Sequence, residues 1–486
     1  MVSPGGAFPV PGDYAQQMSS SNADPRAARA ALDHPVVDAD GHLVEYWPEF
    51  DRRLKEEGVQ EGMGAFMATA NFDGSQLWQR LTPEERSRER AFRSPWWGFP
   101  NDARDLATAM APRLLHERLP ELGIDFAICY PSVGLQLPAQ RDEGLRRRGC
   151  RAYNRYAAEQ YAGLGDRLIP VAVIPTVNPQ EAIEELDFAV RELGFRVVMI
   201  GGFAARSFEG EDDRAFWIDG LGLDSLYDYD PLWERIVDSK VVTSVHSGAM
   251  GWSGRRSISN FSYNHMGHFA GANEVTAKSL FFGGVFHRFP KLRMAFLEGG
   301  ASWAIQMMVS LVEHFEKRGP EGLTLRDPAG IDGALLDRLV EEHAGAMTPV
   351  PGYGESLKQL LATPEVVNDF ERAGVETEED IVRQITEQCF IGCEADDRLA
   401  GVAFDTNRLP GGVPLNPMFS SDIGHWDVAH MRSVLPEAVE HLEQGWMDAD
   451  QLRAFLCDNV VKLCTDVDPD FFDGTDIEAY AAEQVR

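Results

Sequence analysis

Cysteine is scarce in this chain. There are six in 486 residues: Cys129, Cys150, Cys389, Cys393, Cys457 and Cys464. They are scattered and mostly sit inside apolar runs, which excludes a disulfide framework and suits the reduced core thiols of a cytoplasmic protein. Cys389 and Cys393 have no second pair nearby, so a structural zinc knuckle has little support. Basic residues are also few: 45 Lys and Arg stand against 77 Asp and Glu, a net charge of −32. Such a charge repels phosphate backbones and anionic membrane surfaces, which removes nucleic acids and membranes as expected partners. A small-molecule partner stays open, because a local pocket can differ from the body around it. No apolar run approaches the roughly 18–20 residues of a membrane span. The opening residues "MVSPGGAFPVPGDYAQQMSSSNADPRAARA" lack a basic segment followed by an apolar core. They are expected to form a flexible arm over residues 1–34 rather than a signal peptide.

What is present is alternation. Short apolar runs read as strands at "VVDAD" (36–40), "FAICYPS" (126–132), "IPVAVIP" (169–175), "RVVMIGG" (196–202), "VVTSVHS" (241–247), "MAFLEGG" (294–300), "CFIGCE" (389–394) and "MFSSD" (418–422). Longer amphipathic runs lie between them. The clearest is 178–194, with Pro179 just inside its start and Gly194 at its end. Strand then helix, repeated about eight times without hairpin signals, predicts parallel βα units. The expected fold is α/β, a distorted (β/α)₈ barrel over residues 35–470, and an open doubly wound sheet satisfies the same periodicity. Two stretches exceed a minimal barrel of about 250 residues. They are helical insertions at about 48–115, which includes the aromatic-rich "RSPWWGFP" as a lid, and at about 317–388. Residues 471–486 read as a C-terminal tail.

In a parallel barrel the chemistry sits at the C-terminal ends of the strands. Asp40 and His42 fall at the end of the first predicted strand, His246 at the fifth, Glu298 at the sixth and Asp422 at the eighth. Imidazoles and carboxylates recurring at four strand ends suggest a divalent cation with an open position, able to activate water or polarise a substrate oxygen. Each position also has a plainer reading. Gly41 looks like a strand breaker, which would make Asp38, Asp40 and His42 an acidic turn. His246 could be a packed core residue, Asp422 a helix cap, and Glu298 an acceptor for the glycines after it. Glu45 and His425 are placed as supports of the ligands, or as a first-turn helix residue and a loop residue. Tyr130 carries no claim beyond core packing.

The segments "GIDFAICYPS", "YNRYAAEQYAGLGDRLIPVAVIPTVNPQEAIEEL", "GGVFHRFPKLRMAFLEGG", "SSDIGHWD" and "DNVVKL", in this order, resemble the amidohydrolase-related proteins grouped with aminocarboxymuconate semialdehyde decarboxylase. The similarity covers most of residues 35–465. It implies a distorted barrel with one divalent metal. The first-strand pair maps to Asp40 and His42, the fifth-strand ligand to His246, and the last-strand aspartate, ligand or acid/base, to Asp422. The sixth-strand histidine of that group falls on Glu298, and this departure weakens the decarboxylase assignment. Two carboxylates with two imidazoles make an oxygen-rich set compatible with Zn²⁺ or Mn²⁺. Family habit implies a homodimer or higher homo-oligomer.

The leading expectation is a metal-dependent hydrolase of a small carboxylated or carbonyl-bearing metabolite, with Glu298 and Asp422 handling protons. Non-oxidative decarboxylation of an aromatic or unsaturated acid is the alternative, and an inactive barrel used as a binding subunit is the third. The segment after the fifth strand supplies the expected substrate contacts: Trp252, Arg255, Arg256, Tyr263, Asn264, His265 and His268, with Trp303 as a pocket wall. The same segment could equally be a solvated loop at a subunit interface.

Overall fold

The computed structural model describes residues 24–64, 78, 81–91, 93, 102–210, 216–246, 257–362 and 368–484. The strands are β1 (Val37–Leu43), β2 (Phe126–Pro131), β3 (Leu168–Ile174), β4 (Val197–Ile200), β5 (Ala204–Ser207), β6 (Phe216–Asp219), β7 (Val242–Val245), β8 (Met294–Phe296), β9 (Cys389–Glu394) and β10 (Pro417–Ser420). Eight of them form one parallel sheet in the order β1-β2-β3-β4-β7-β8-β9-β10. Their Val, Ile, Ala and Phe side chains are buried on both faces, as helix-covered parallel strands require. The sheet closes on itself just beyond β10, where Asp422 N–H donates to Asp40 O at 2.9 Å and His42 N–H to Ile423 O at 3.0 Å. All eight predicted barrel strands are present, and the fold is a (β/α)₈ barrel.

Two local readings are corrected. Gly41 does not break β1; the strand runs on to Leu43 with a register shift between Asp38 and Gly41. A Cβ at Gly41 would stand 2.9 Å from Asp38 Oδ2, so glycine is there for close approach. The chain also contains a hairpin-like pair: β5 and β6 are antiparallel. Short strands with few β-branched residues give periodicity too little to work on.

Helices cover the barrel, and their starts are written locally. Asn178 caps the helix Pro179–Asp187 in a capping box with Glu181, and Asp448 does the same with Gln451 for Ala449–Arg453. The described part of 48–115 contains the helices Trp47–Glu56, Pro83–Glu89 and Ala103–Met110. The stretch 317–388 carries Pro320–Leu325, Gly333–His343, Tyr353–Leu361 and Glu378–Gln388. In the region read as an arm, Asp24 caps the helix Pro25–Ala30, and Arg29 pairs with Asp125 at 2.6 Å. In the region read as a tail, Phe472 is buried with its ring 5.3 Å from that of Phe126. The lid "RSPWWGFP" lies outside the described residues apart from Arg93.

The closing seam depends on one carboxylate. Asp38, fully buried, accepts from Ser421 N–H at 2.9 Å, from Ser421 Oγ at 2.5 Å and from Asp40 N–H at 3.1 Å. Burial pushes its carboxyl up to about 7, against the pull of those hydrogen bonds. Ser421→Ala removes one of three partners from a group with no access to water. The expected loss is about 2 kcal/mol of unfolding free energy, read as a lower urea midpoint at unchanged slope.

Candidate metal centre

Six ionisable side chains meet at the C-terminal mouth of the barrel: Asp40 and His42 from β1, His246 after β7, Glu298 after β8, and Asp422 and His425 after β10. All are buried or nearly so. His42 is the hub. Its Nε2 lies 2.9 Å from Asp422 Oδ1, 3.3 Å from His246 Nε2, 3.6 Å from Asp40 Oδ1 and 3.8 Å from Glu298 Oε1. His246 Nε2 is 3.4 Å from Asp40 Oδ1, and its Nδ1 is 3.7 Å from Glu298 Oε2. His425 Nδ1 is 2.8 Å from Asp422 Oδ1 and 3.4 Å from Glu298 Oε1, and its ring stacks on His42 with centroids 3.5 Å apart.

Backbone strain aims two of these groups. Glu298 and Asp422 have φ of 54° and 49°, the left-handed region that a residue with a Cβ seldom occupies. At Glu298 the turn is pinned by Asn273, whose Nδ2 donates to Leu297 O at 2.9 Å. Gly299 then packs where a Cβ would come within 2.5 Å of the same Asn273 amide.

Whether these residues suit a cation can be read from what they leave unsatisfied. Among the described residues Asp40 Oδ2, His246 Nδ1 and Glu298 Oε2 are buried without a hydrogen-bond partner, although buried polar atoms nearly always have one. Donor atoms fall within 4.8 Å of one another in two groups, Asp40–His42–His246 and His42–Glu298–Asp422–His425. His42 faces the Pro131 carbonyl with Nδ1 at 3.0 Å, which holds the proton there and leaves the Nε2 lone pair facing the cluster. Burial, then the neighbouring His425, depresses His42 to about 3, so the ring is neutral. An oxygen-rich set with a neutral imidazole at its centre fits a divalent cation.

The remaining electrostatics divide the cluster. Burial opposes charge on Glu298, but His246 and His425 outweigh it and hold the carboxyl well below the usual range. Burial likewise opposes charge on His246 and His425. Glu298 and Asp40 lift the first above its ordinary value, and Asp422 and Glu298 lift the second far above. Burial raises Asp422 against the pull of His425.

Other expected residues take different places. Glu45 is fully buried and accepts from Val133 N–H and Gly134 N–H, both at 2.8 Å; it clamps the loop after β2 rather than touching His42. Asn264 spends its amide inside the chain, donating to Ser257 O and Arg93 O and accepting from Ser257 N–H. Tyr263 is exposed. His265 and His268 line a cavity of about 300 Å³ that also borders Glu298. Trp303 is buried against Phe296 beneath the Glu298 turn. Trp252, Arg255 and Arg256 lie outside the described residues.

Sequence reasoning missed three contacts. Tyr130, packed in the core as expected, sets its ring against His246, 5.3 Å between centroids. Ser132 Oγ lies 3.1 Å from His425 Nε2. Asp427, exposed on the rim, meets Asp422 carboxyl to carboxyl. Only Asp427 had a signal, its place in "SSDIGHWD".

A parallel barrel with imidazoles and carboxylates converging at its strand ends defines a metal-dependent barrel enzyme. The family model described as "Amidohydrolase" matches residues 37–318, more than half of the sequence, and the chain belongs to that family. Among solved structures it is similar to an amidohydrolase from Mycobacterium avium subsp. paratuberculosis K-10, at 17% identity and a TM-score of 0.53, over 89% of this chain and 100% of that one. It is also similar to 5-carboxyvanillate decarboxylase from Novosphingobium aromaticivorans with bound manganese and 3-methoxy-4-hydroxy-5-nitrobenzoic acid. That match has 13% identity and a TM-score of 0.50, over 89% and 97% of the two chains. These likenesses establish the fold. No curated protein matches significantly. Among the described residues no helix is long and apolar enough to cross a membrane.

Proposed function

We propose that this protein hydrolyses a small carboxylated or carbonyl-bearing metabolite with one divalent ion, Zn²⁺ or Mn²⁺, held by Asp40, His42, His246 and Asp422. The observation that supports hydrolysis best is Glu298, a carboxylate among three imidazoles with Oε2 unpartnered. When bound, the ion would supply Lewis acidity toward a substrate oxygen and toward water. Glu298, kept ionised by the imidazoles around it, positions the attacking water by hydrogen bonding and takes its proton only as the new bond to carbon forms. His425, 3.4 Å from Glu298 and 2.8 Å from Asp422, carries that proton between the two carboxylates toward the departing group. Tyr130 and the stacked His42 and His425 rings keep bulk water from the donor atoms.

Decarboxylation is the second reading, favoured by His425, whose raised pKa makes it a proton donor to carbon at neutral pH. Solvent labelling separates the two. Metal-loaded protein turning over esters, amides and aromatic acids in oxygen-18 water is expected to place one solvent oxygen in a product carboxylate. Release of CO₂ with solvent deuterium at the vacated carbon would select the second reading instead.

Residues 35–470 are proposed to act as one catalytic unit within a homodimer or higher homo-oligomer. The helices Gly333–His343 and Tyr353–Leu361 expose Leu335, Leu339, Tyr353, Leu360 and Leu361, apolar surface that suits such an assembly.

A further inference from the structure

Glu298 stands where its own backbone resists. Its φ of 54° lies in the left-handed region, and Gly300, two residues on, repeats that hand at 62°. A glutamate does not favour this conformation by itself, so the surrounding structure has to impose it. The turn is held from three sides. Leu297 N–H donates to Val245 O at 3.0 Å, which fixes its start to the neighbouring strand. Asp397, after β9, fixes its end by accepting from Ala301 N–H at 2.8 Å. Between these, Asn273 Nδ2 donates to Leu297 O at 2.9 Å. That carbonyl belongs to the peptide that leads into Glu298, and the plane of this peptide sets the Glu298 φ.

Asn273 suits its place in no other way. It lies inside the helix His268–Phe282, fully buried, where asparagine is a weak helix former. Its Oδ1 has no hydrogen-bond partner among the described residues, a defect that buried amides rarely carry. Gly299 leaves the space that the amide needs: a Cβ there would stand 2.5 Å from Asn273 Nδ2 and 2.8 Å from Trp303 Nε1. Local rules broken together in this way mark functional positions. Thr276, one turn along the same helix, is satisfied elsewhere, its hydroxyl donating to Gly202 O and to Ala272 O, neither of which belongs to the Glu298 turn.

We infer that Asn273 is a positioning residue: by fixing the Leu297 carbonyl it holds the peptide plane that sends the Glu298 carboxylate in among the imidazoles. The catalytic weight of this role rests on the hydrolytic reading proposed above; the positioning itself does not. Without the amide the peptide is free to turn, φ of Glu298 relaxes to negative values, and the carboxylate leaves His42, His246 and His425, which it meets at 3.8, 3.7 and 3.4 Å.

Asn273→Leu tests this, because leucine keeps the branching and size of asparagine and removes the donor without adding charge. Crystal structures of the manganese-loaded full-length wild type and variant are compared at Glu298. The wild type is expected to keep Glu298 left-handed, and the variant to show a negative φ with the carboxylate out of contact with His246 and His425. Hydrolysis of 4-nitrophenyl acetate gives the second readout: kcat falls about 10²-fold, the scale of a 1 Å misplacement, while KM and manganese stoichiometry are unchanged. Stability does not follow kcat, since an unsatisfied Oδ1 is exchanged for an unsatisfied Leu297 carbonyl and the thermal midpoint moves by no more than about 4 °C. Thr276→Val keeps the wild-type kcat. Where Asn273→Leu does not fold, Asn273→Met, more pliable and equally without the donor, replaces it. A Glu298 that stays left-handed in the variant, or a loss of kcat shared by Thr276→Val, overturns the assignment. A Glu298 that moves while kcat stays removes its catalytic use and keeps the positioning. If the wild type is inert toward esters and amides, hydrolysis falls and the two crystal structures still decide for or against Asn273.

Discussion

Replacing His42 with alanine is expected to lower kcat/KM on the order of 10⁴-fold, about 5 kcal/mol of transition-state stabilisation, and to abolish stoichiometric divalent metal. Among the described residues no other side chain belongs to both groups of converging donors. Removing the ring takes away a lone pair fixed toward the site by the Pro131 carbonyl and leaves the buried Asp40 carboxylate with one imidazole neighbour, His246, instead of two. The measurements are metal content of the purified variant and a thermal melt with and without added Mn²⁺. Wild-type protein gains about 4 kcal/mol when the ion is present at a thousand times its dissociation constant. His42→Ala gains nothing. Full metal occupancy with normal turnover in the variant would show that the cluster is structural.

Glu298→Gln has the next largest expected effect. Glutamine keeps the size and the left-handed backbone position of Glu298 but cannot take a proton, so kcat falls on the order of 10³-fold with KM little changed and metal retained. A second readout separates chemistry from packing. The Glu298 anion helps to lift His246 and His425, so its removal lets both imidazoles titrate at lower pH than in the wild type. In metal-free protein, imidazole titrations followed by NMR should move in that direction. If kcat is retained and the imidazoles do not move, Glu298 is neither base nor electrostatic partner.

The barrel was legible because its strands are near-continuous Val, Ile and Phe runs, which only helix-covered parallel sheets bury on both faces. The strand ends were less legible. Glycines follow β4 and β8, and apolar periodicity does not tell where pairing stops, so "RVVMIGG" reads longer than Val197–Ile200. Asp40, His42, His246, Glu298 and Asp422 could be proposed because each sits directly after such a run, and the structure brings all five together. Their supports could not. That Ser132 would meet His425, or Glu45 would clamp Val133 and Gly134, depends on which loop packs opposite, which no local pattern encodes. Asn264 shows the converse: a polar side chain in a promising loop is occupied by the loop's own backbone.

The seam that closes the barrel has a consequence for folding. Asp38 and Ser421 are 383 positions apart, and the same junction carries Asp40 and Asp422, joined backbone to backbone. Three of the four proposed ligands, Asp40, His42 and Asp422, are thus supplied by the first strand and the turn after the last. The site cannot exist until the last strand has docked on the first, the contact with the highest loop-closure cost in the ring. An ion is then captured by the finished barrel rather than nucleating it, and once bound it acts as a clasp on the junction where the ring would otherwise open.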